Sequence, residues 1–386
     1  MKKILGSALF LVVLAAGWFI YHGGVKGLLG TGEPHVTATD VSAAGAASSG
    51  WSDSDTPKTA SSTPSGPAPT SDTLKAILSS GVVRVSVENP SKPFYSEDNG
   101  KAQGFNVDFA KLLFSQKEFA SGDHGSIKVD TNHGVDTYPA VPAQLTQSDK
   151  HGNAVVDVAM DGLTFPDDTP SGVVYTVPYV DDFGYSLIVR KGSPIKSAAD
   201  LAGKTVGILK GDPDVKAFAE KAFPASKIVE LSDASINGER SWTSHYLDGG
   251  QVDAIVYDYP FGVSEIEGTD LTFAVTKLDG SNLAYKIGVR KDDATLLVYL
   301  NSAIAKVKQS PEYLNLLRKY FISNQVVTTA ATSGEKTYLV KAGDTLNLIA
   351  SSQLGSAAKY VQIQKRNNLP NPNLILVGQH LITPVL

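Results

Sequence analysis

The chain has 386 residues, with 34 Lys and Arg against 39 Asp and Glu for a net charge of −5, a 42% hydrophobic fraction and no cysteine. That length and apolar content support two or three domains with real cores, while the missing cysteine excludes a disulfide scaffold, a thiol nucleophile, an iron–sulfur cluster and a lipid carried on an N-terminal cysteine. No basic block accompanies the mild acidity, so no nucleic-acid partner is expected, because phosphate binding needs clustered Lys and Arg.

Residues 1–22 open with Lys2 and Lys3 and then run without charge from Ile4 to Tyr21, which is a positive start followed by an apolar export segment. Two fates stay open. As a signal peptide the segment would be cleaved after Gly17, using the small residues Ala15 and Gly17. As an N-terminal anchor in the inner membrane it would remain, because Trp18, Phe19 and Ile20 prolong the apolar run and Trp18 and Tyr21 suit the interface. In both cases the rest of the protein is expected in the periplasm or cell envelope. Residues 23–71 are mostly Gly, Ala, Ser, Thr and Pro. Such a segment buries too little surface to offset its ordering entropy, so it reads as a disordered linker spanning roughly 40 Å as a coil.

From Asp72 the pattern becomes that of a folded domain. Leu74, Ile77 and Leu78 have helical spacing, Gly81 stops the helix, and residues 82–87 alternate like a strand. A second helix follows Gly104-Phe105, with Val107, Ala110, Leu112 and Leu113 on its apolar side. Strand-like runs recur at 155–160, 185–189, 205–209, 254–257 and 284–289, with helical segments at 215–222 and 296–308. Strands alternating with helices predict an α/β domain with its ligand beyond the carboxyl ends of strands. After a polar linker at 326–335, residues 336–386 predict a small βααβ unit: a strand at 338–341, a helix with Leu346, Leu348, Ile349 and Ala350 on one face, a second helix with Tyr360, Val361 and Ile363, and a closing strand within 374–384. Asp344 or Thr345 suits the cap of the first of these helices.

Several other chemistries leave no signature. Ala198 stands where a phosphate loop needs its first glycine, the histidines make no metal-ligand pair, and no serine sits in a nucleophile elbow. Neither catalytic residues nor a metal or other cofactor are expected.

Between residues 72 and 324 the motifs Pro93-Phe94-Tyr95, Gly104-Phe105-Asn106-Val107-Asp108, Val156-Asp157-Val158-Ala159, Gly162-Leu163-Thr164, Pro178-Tyr179, Asp200-Leu201-Ala202-Gly203-Lys204-Thr205 and Gly250-Gln251-Val252-Asp253-Ala254 stand in one order. In that order they resemble the extracytoplasmic solute-binding proteins of the amino-acid type (family 3), the receptors of ABC importers. The resemblance implies a type II, two-lobed periplasmic-binding-protein fold over 72–325, with one lobe at about 72–181 and 285–325 and the other at about 186–281. It implies a small-molecule ligand held by Phe94, Tyr95, Asp161, Leu163, Thr164, Thr169, Tyr179, Asp212 and Asp258, and an ABC permease as partner.

The sequence departs from that family at its anion readers. Thr169 stands near the position of the arginine that holds a ligand carboxylate, and Gly211-Asp212-Pro213-Asp214 replaces a Gly-Ser-Thr turn, removing one N–H and adding two negative charges. Asp258 matches the family's amine-binding acid. An acidic, aromatic cleft suits a cationic or amine-bearing ligand, with a sugar or peptide fragment as the other reading. For Asp212 and Asp214 a plain helix-start role competes, and for the aromatic residues core packing does.

The C-terminal unit resembles a LysM module, through Val340-Lys341-Ala342-Gly343-Asp344-Thr345-Leu346, Asn367, Pro372-Asn373-Leu374-Ile375 and Gly378-Gln379-His380-Leu381-Ile382. That family binds N-acetylglucosamine-containing glycans such as peptidoglycan. Carried over, the groove lies between Gly343, Asp344, Thr345 and Leu346 and the facing Asn373, Leu374 and Ile375. The whole is expected to be a non-catalytic solute receptor tethered to the wall. The alternatives are a sensor or scavenger of wall-derived fragments and a dehydratase-like enzyme on the same fold.

Overall fold

The computed structural model describes residues 72–120, 126–164, 170–233, 241–323 and 330–385. The expected export segment and long linker lie outside them.

Asp72 accepts the Lys75 backbone N–H at 3.1 Å and starts α1 (Thr73–Ser80), whose Leu74 and Ile77 turn inward. Gly81 ends the helix at φ 68°, a left-handed conformation that glycine adopts without steric cost. Next come β1 (Val82–Glu88), the hairpin of β2 (Ser96–Asp98) and β3 (Lys101–Gln103), and α2 (Phe105–Phe114). After these lie β4 (Lys128–Val135), the single turn α3 (Ala140–Ala143), β5 (Val158–Leu163) and β6 (Val173–Tyr175). β5 lies further along the chain than the alternation at 155–160 predicts. Arg84 grips the Asp157 carboxylate, Nη2 to Oδ1 2.6 Å, and holds that approach outside the strand. Asp161 and Gly162, residue types that usually weaken strands, continue it with every position buried.

The chain crosses to the second lobe through β7 (Val180–Phe183) and β8 (Tyr185–Arg190). There it forms β9 (Thr205–Leu209), α4 (Pro213–Ala222), β10 (Lys227–Leu231), α5 (Trp242–Asp248), β11 (Ala254–Asp258), α6 (Tyr259–Ile266) and β12 (Leu271–Val275). It returns as β13 (Leu283–Arg290), followed by α7 (Ala294–Val307) and α8 (Pro311–Phe321). One sheet has the order β4-β1-β5-β13-β6 with β7 on β13, and the other β10-β9-β11-β8-β12. The crossing strands pair with each other, Leu283 opposite Phe183 and Tyr285 opposite Val180. Gly184 sits at this crossing, where an added Cβ would lie 2.9 Å from Lys277 Cγ and 3.2 Å from the Ser281 carbonyl.

Arg290, at the end of β13, ties the first lobe together. Its Nε is 2.9 Å from Asp293 Oδ2, and it donates to Thr73 Oγ1 at 2.7 Å and to the Val156 carbonyl at 2.7 Å. Both charged side chains are almost fully buried, at 4% and 3% exposure.

The C-terminal unit consists of β14 (Lys336–Leu339), α9 (Leu346–Leu354), α10 (Tyr360–Arg366) and β15 (His380–Thr383), with the two strands antiparallel. It has its own core, including Val340, Leu346, Ile349, Leu354, Ile363 and Leu381. Thr345 caps α9 through the Leu348 N–H. Leu348 itself points to solvent at 58% exposure, so the inward face is Leu346, Ile349, Ala350 and Leu354. Val361 is likewise exposed on α10 while Ile363 is buried. Asn367 joins α10 to β15, donating to the Ile382 carbonyl at 2.7 Å and accepting the Ile382 N–H at 2.6 Å. Among the described residues no helix is long and apolar enough to cross a membrane.

Candidate functional site

Three carboxyl groups lie near the junction of the two lobes, and two of them end strands. Glu88 closes β1, Asp258 closes β11, and Asp161 lies within β5. Burial raises the Glu88 carboxyl above its usual range. Asp161 is fully buried and is pushed well up, first by burial and then by the Glu88 charge. The Ser91 side chain opposes part of the rise of Asp161, and neither Asp161 oxygen has a partner of good hydrogen-bond geometry among the described residues. Asp258 is raised to about 7 by burial, and the Asp212 and Asp214 charges add to the rise. The Tyr285 hydroxyl donates to its Oδ2 at 2.7 Å and opposes part of the shift.

Among the described residues no cation offsets this field. The charges that raise Glu88, Asp161 and Asp258 are other carboxylates. The described arginines are engaged elsewhere: Arg84 on Asp157, Arg190 on the Leu247 carbonyl, Arg290 on Asp293, Arg318 on the Ile375 carbonyl and Arg366 on Glu335. Thr169, at the expected arginine position, lies outside the described residues. Among the described residues no cluster of His, Asp or Glu could hold a metal ion.

The aromatic residues divide into wall and core. Phe94 of the first lobe and Phe261 of α6 meet across the cleft with ring centroids 4.6 Å apart, and Tyr285 stands edge-on to Phe94 at 5.4 Å. Ser264 Oγ of α6 also donates to the Lys92 carbonyl at 2.8 Å, so the lobes touch. Gly162, at φ 62°, leaves room for Phe261, whose ring would lie 2.9 Å from an added Cβ. Phe94, Tyr95, Leu163 and Tyr179 are fully buried and offer a ligand no side-chain surface in this form. The Tyr179 hydroxyl instead bonds Asn106 Oδ1 at 2.8 Å, and that of Tyr95 bonds Glu97 at 2.9 Å. Thr164 donates its backbone N–H to the Tyr138 hydroxyl at 3.1 Å.

Asp212 caps α4, accepting the N–H groups of Asp214 at 3.1 Å and Val215 at 3.0 Å. Those two donors are then committed to a carboxylate of the protein itself. Sequence reasoning missed Glu88, Tyr138, Phe261 and Tyr285. For Glu88 the signal was present, since it is the last residue of a strand in an α/β sheet, where ligands bind.

In the C-terminal unit, Gly343 turns at φ 84°, and Asp344 accepts the Tyr338 hydroxyl at 2.9 Å and the Lys341 N–H at 2.8 Å. Leu346 and Ile375 are buried in the unit's own core. Leu374 packs into the core of the two-lobed domain instead. Asn373 Nδ2 donates to Asp182 Oδ2 at 3.2 Å.

Two lobes joined by crossing strands around a cleft, followed by a βααβ module, define a receptor for small solutes with an attached glycan-binding type of domain. Residues 83–323 match the bacterial extracellular solute-binding proteins, family 3, and residues 338–384 match the LysM domain. The chain belongs to that solute-binding family, carries a LysM domain and is extracytoplasmic.

It is 27% identical over 251 residues to the probable histidine-binding protein of Neisseria gonorrhoeae, covering 62% of this chain and 83% of that protein. To the L-cystine-binding protein TcyJ of Escherichia coli K12 it is 26% identical over 251 residues, covering 64% and 85%. To the lysine/arginine/ornithine-binding periplasmic protein of the same strain it is 26% identical over 259 residues, covering 63% and 88%. These relatives are binding proteins.

Proposed function

We propose that the protein is a non-catalytic receptor for a small cationic, amine-bearing solute, held at the cell wall by its LysM module. The observation that carries this reading is the set of three carboxyls, Glu88, Asp161 and Asp258, desolvated together with no cation of the described residues among the charges that shift them. A carboxyl whose ionisation is opposed by burial and by like charge gains most when a cation arrives, and the half-buried Phe261 supplies an aromatic face beside it. Asp258 is the amine hook, Asp161 and Glu88 hold a second positive group, and Thr164 lines the approach. Asp212 keeps anions away by occupying the N-terminus of α4. The relatives named for histidine and for lysine, arginine and ornithine point to the same ligand chemistry.

The N-terminal segment is proposed to serve as signal peptide or inner-membrane anchor, and an ABC permease is the proposed receiver of the solute. A second reading, a sensor of wall-derived fragments, draws support from the contact between Asn373 of the module and Asp182 of the crossing strand. Native mass spectrometry of the purified chain tests the ligand class. A co-purifying molecule of net positive charge is expected, and a neutral or acidic amino acid or a dicarboxylate would refute the assignment. Crosslinking in cells to a permease rather than to a wall enzyme would favour transport over sensing.

A further inference from the structure

The receptor and the LysM module belong to one compact unit, and the module lies across the crossing between the lobes. Asn368, at φ 49°, accepts the Thr276 N–H through Oδ1 at 2.8 Å and donates to the Ala274 carbonyl at 3.1 Å, both near the end of β12. Asn371 Nδ2 donates to the Asp181 carbonyl at 3.0 Å, and Asn373 Nδ2 reaches Asp182. Both of these acceptors are in β7. Lys365 pairs with Asp279, and Arg318 of α8 donates to the Ile375 carbonyl at 3.3 Å. The module is therefore fastened to both lobes.

Between module and receptor lies a cavity of ≈ 360 Å³. The module contributes Asp344, Thr345, Asn373 and Ile375, and the receptor side includes Asp182 and Arg318. We propose that this cavity is a composite saccharide site, in which the end of an N-acetylated amino-sugar chain, or a fragment of one or two rings, is held between the module and the crossing strands. The proposal rests on the reading of the module as glycan-binding and adds the receptor as the second wall.

Size and chemistry both bear on the ligand. The volume is at the small end of the range for small-molecule sites, about 300–1,000 Å³, and suits a chain end better than a strand running through. Lys308, which also lines the cavity, is neutralised by Asp181 at 2.5 Å. That leaves carboxylates at Asp182 and Asp344 to accept from sugar hydroxyls. Arg318 has a buried Nε–H with no acceptor among the described residues, a donor matched to an acetamido carbonyl. Ile375 and Tyr313 give the rings apolar surface. Because Asn371 and Asn373 grip β7, a sugar in this cavity touches the element that must flex as the lobes open. Glycan binding and solute binding are then linked, each changing the other's affinity by the same factor.

The test is calorimetric titration of the full chain with N,N′-diacetylchitobiose, alongside sedimentation with purified peptidoglycan. Arg318→Ala, outside the module, is expected to weaken chitobiose binding about tenfold or more, as loss of a charged hydrogen bond does, and Asp182→Asn to weaken it several-fold, with melting curves confirming folded variants. Suppose Asn373→Ala weakens binding while both receptor variants match the wild type. The groove is then the module's alone, and the composite site is overturned while the module's glycan role stands. Stronger binding by the receptor variants would mean that the receptor masks the groove, which also overturns it. If the unaltered chain neither binds chitobiose nor sediments with peptidoglycan, the underlying reading of the module fails as well.

Discussion

Asp258, proposed as the amine hook, is a half-buried carboxyl that would tie the ligand and the pH response together. An aspartate carboxyl ordinarily titrates near 3.8, whereas burial pushes this one up to about 7 in the folded protein. Between those two values the folded state holds more protons, so this group's contribution to stability falls as pH rises from about 4 to about 7 and is constant above. Ligand binding runs the other way. A cation needs the carboxylate, so below pH 7 it must expel a proton, and affinity is expected to drop about tenfold per pH unit. Titrations from pH 5 to 8 check this, and Asp258→Asn should abolish both the binding and the slope. The acid itself was legible in Val256-Tyr257-Asp258, but its partner Tyr285 was not, because their 2.7 Å hydrogen bond joins strands remote in sequence. The motif residues Phe94 and Tyr179 read equally well as cleft or core, since an apolar ring serves either. Only the three-dimensional packing buries them, and the same packing turns Phe261 toward the cleft.

Secondary structure was legible wherever local periodicity and capping agreed. Helix α1, with Asp72 before it and Gly81 after it, follows its sequence, as does α4 once Asp212 is read as its cap. β5 was misplaced because its boundary depends on the pairing of Arg84 with Asp157, a contact with no local signature. The Arg290–Asp293 pair makes the same point with larger energies. Asp293 accepts from Arg290 Nε and from Thr73 Oγ1, the latter at 2.5 Å, and so joins α1 to the turn after β13. Asp293→Ala leaves a buried guanidinium without its counter-charge and should cost about 3–5 kcal/mol, measurable by urea denaturation; an effect below about 1 kcal/mol would contradict the network's importance. At the crossing, Gly184→Val should destabilise by about 1–3 kcal/mol through overpacking against Lys277 and Ser281, read as a lowered melting temperature.

In the molecule as a whole, the two modules were legible as separate units but their union was not. The motifs assign Leu374 and Asn373 to a glycan groove, yet Leu374 packs with the two-lobed core and Asn373 bonds Asp182. A sequence cannot reveal this, because the same small polar and apolar residues serve a ligand or a neighbouring domain. Removal of residues 336–386 should abolish retention on purified peptidoglycan in a sedimentation assay, whereas equal retention would remove the module's assigned role. The acidic cleft remains the centre of the account, and calorimetry of the full chain at pH 7.5 tests it most directly. L-Arginine or putrescine should bind with micromolar affinity, while alanine, glutamine and glutamate should bind at least a hundredfold more weakly, about 2.7 kcal/mol. Micromolar binding of alanine or glutamine, with the diamine inert, would contradict it.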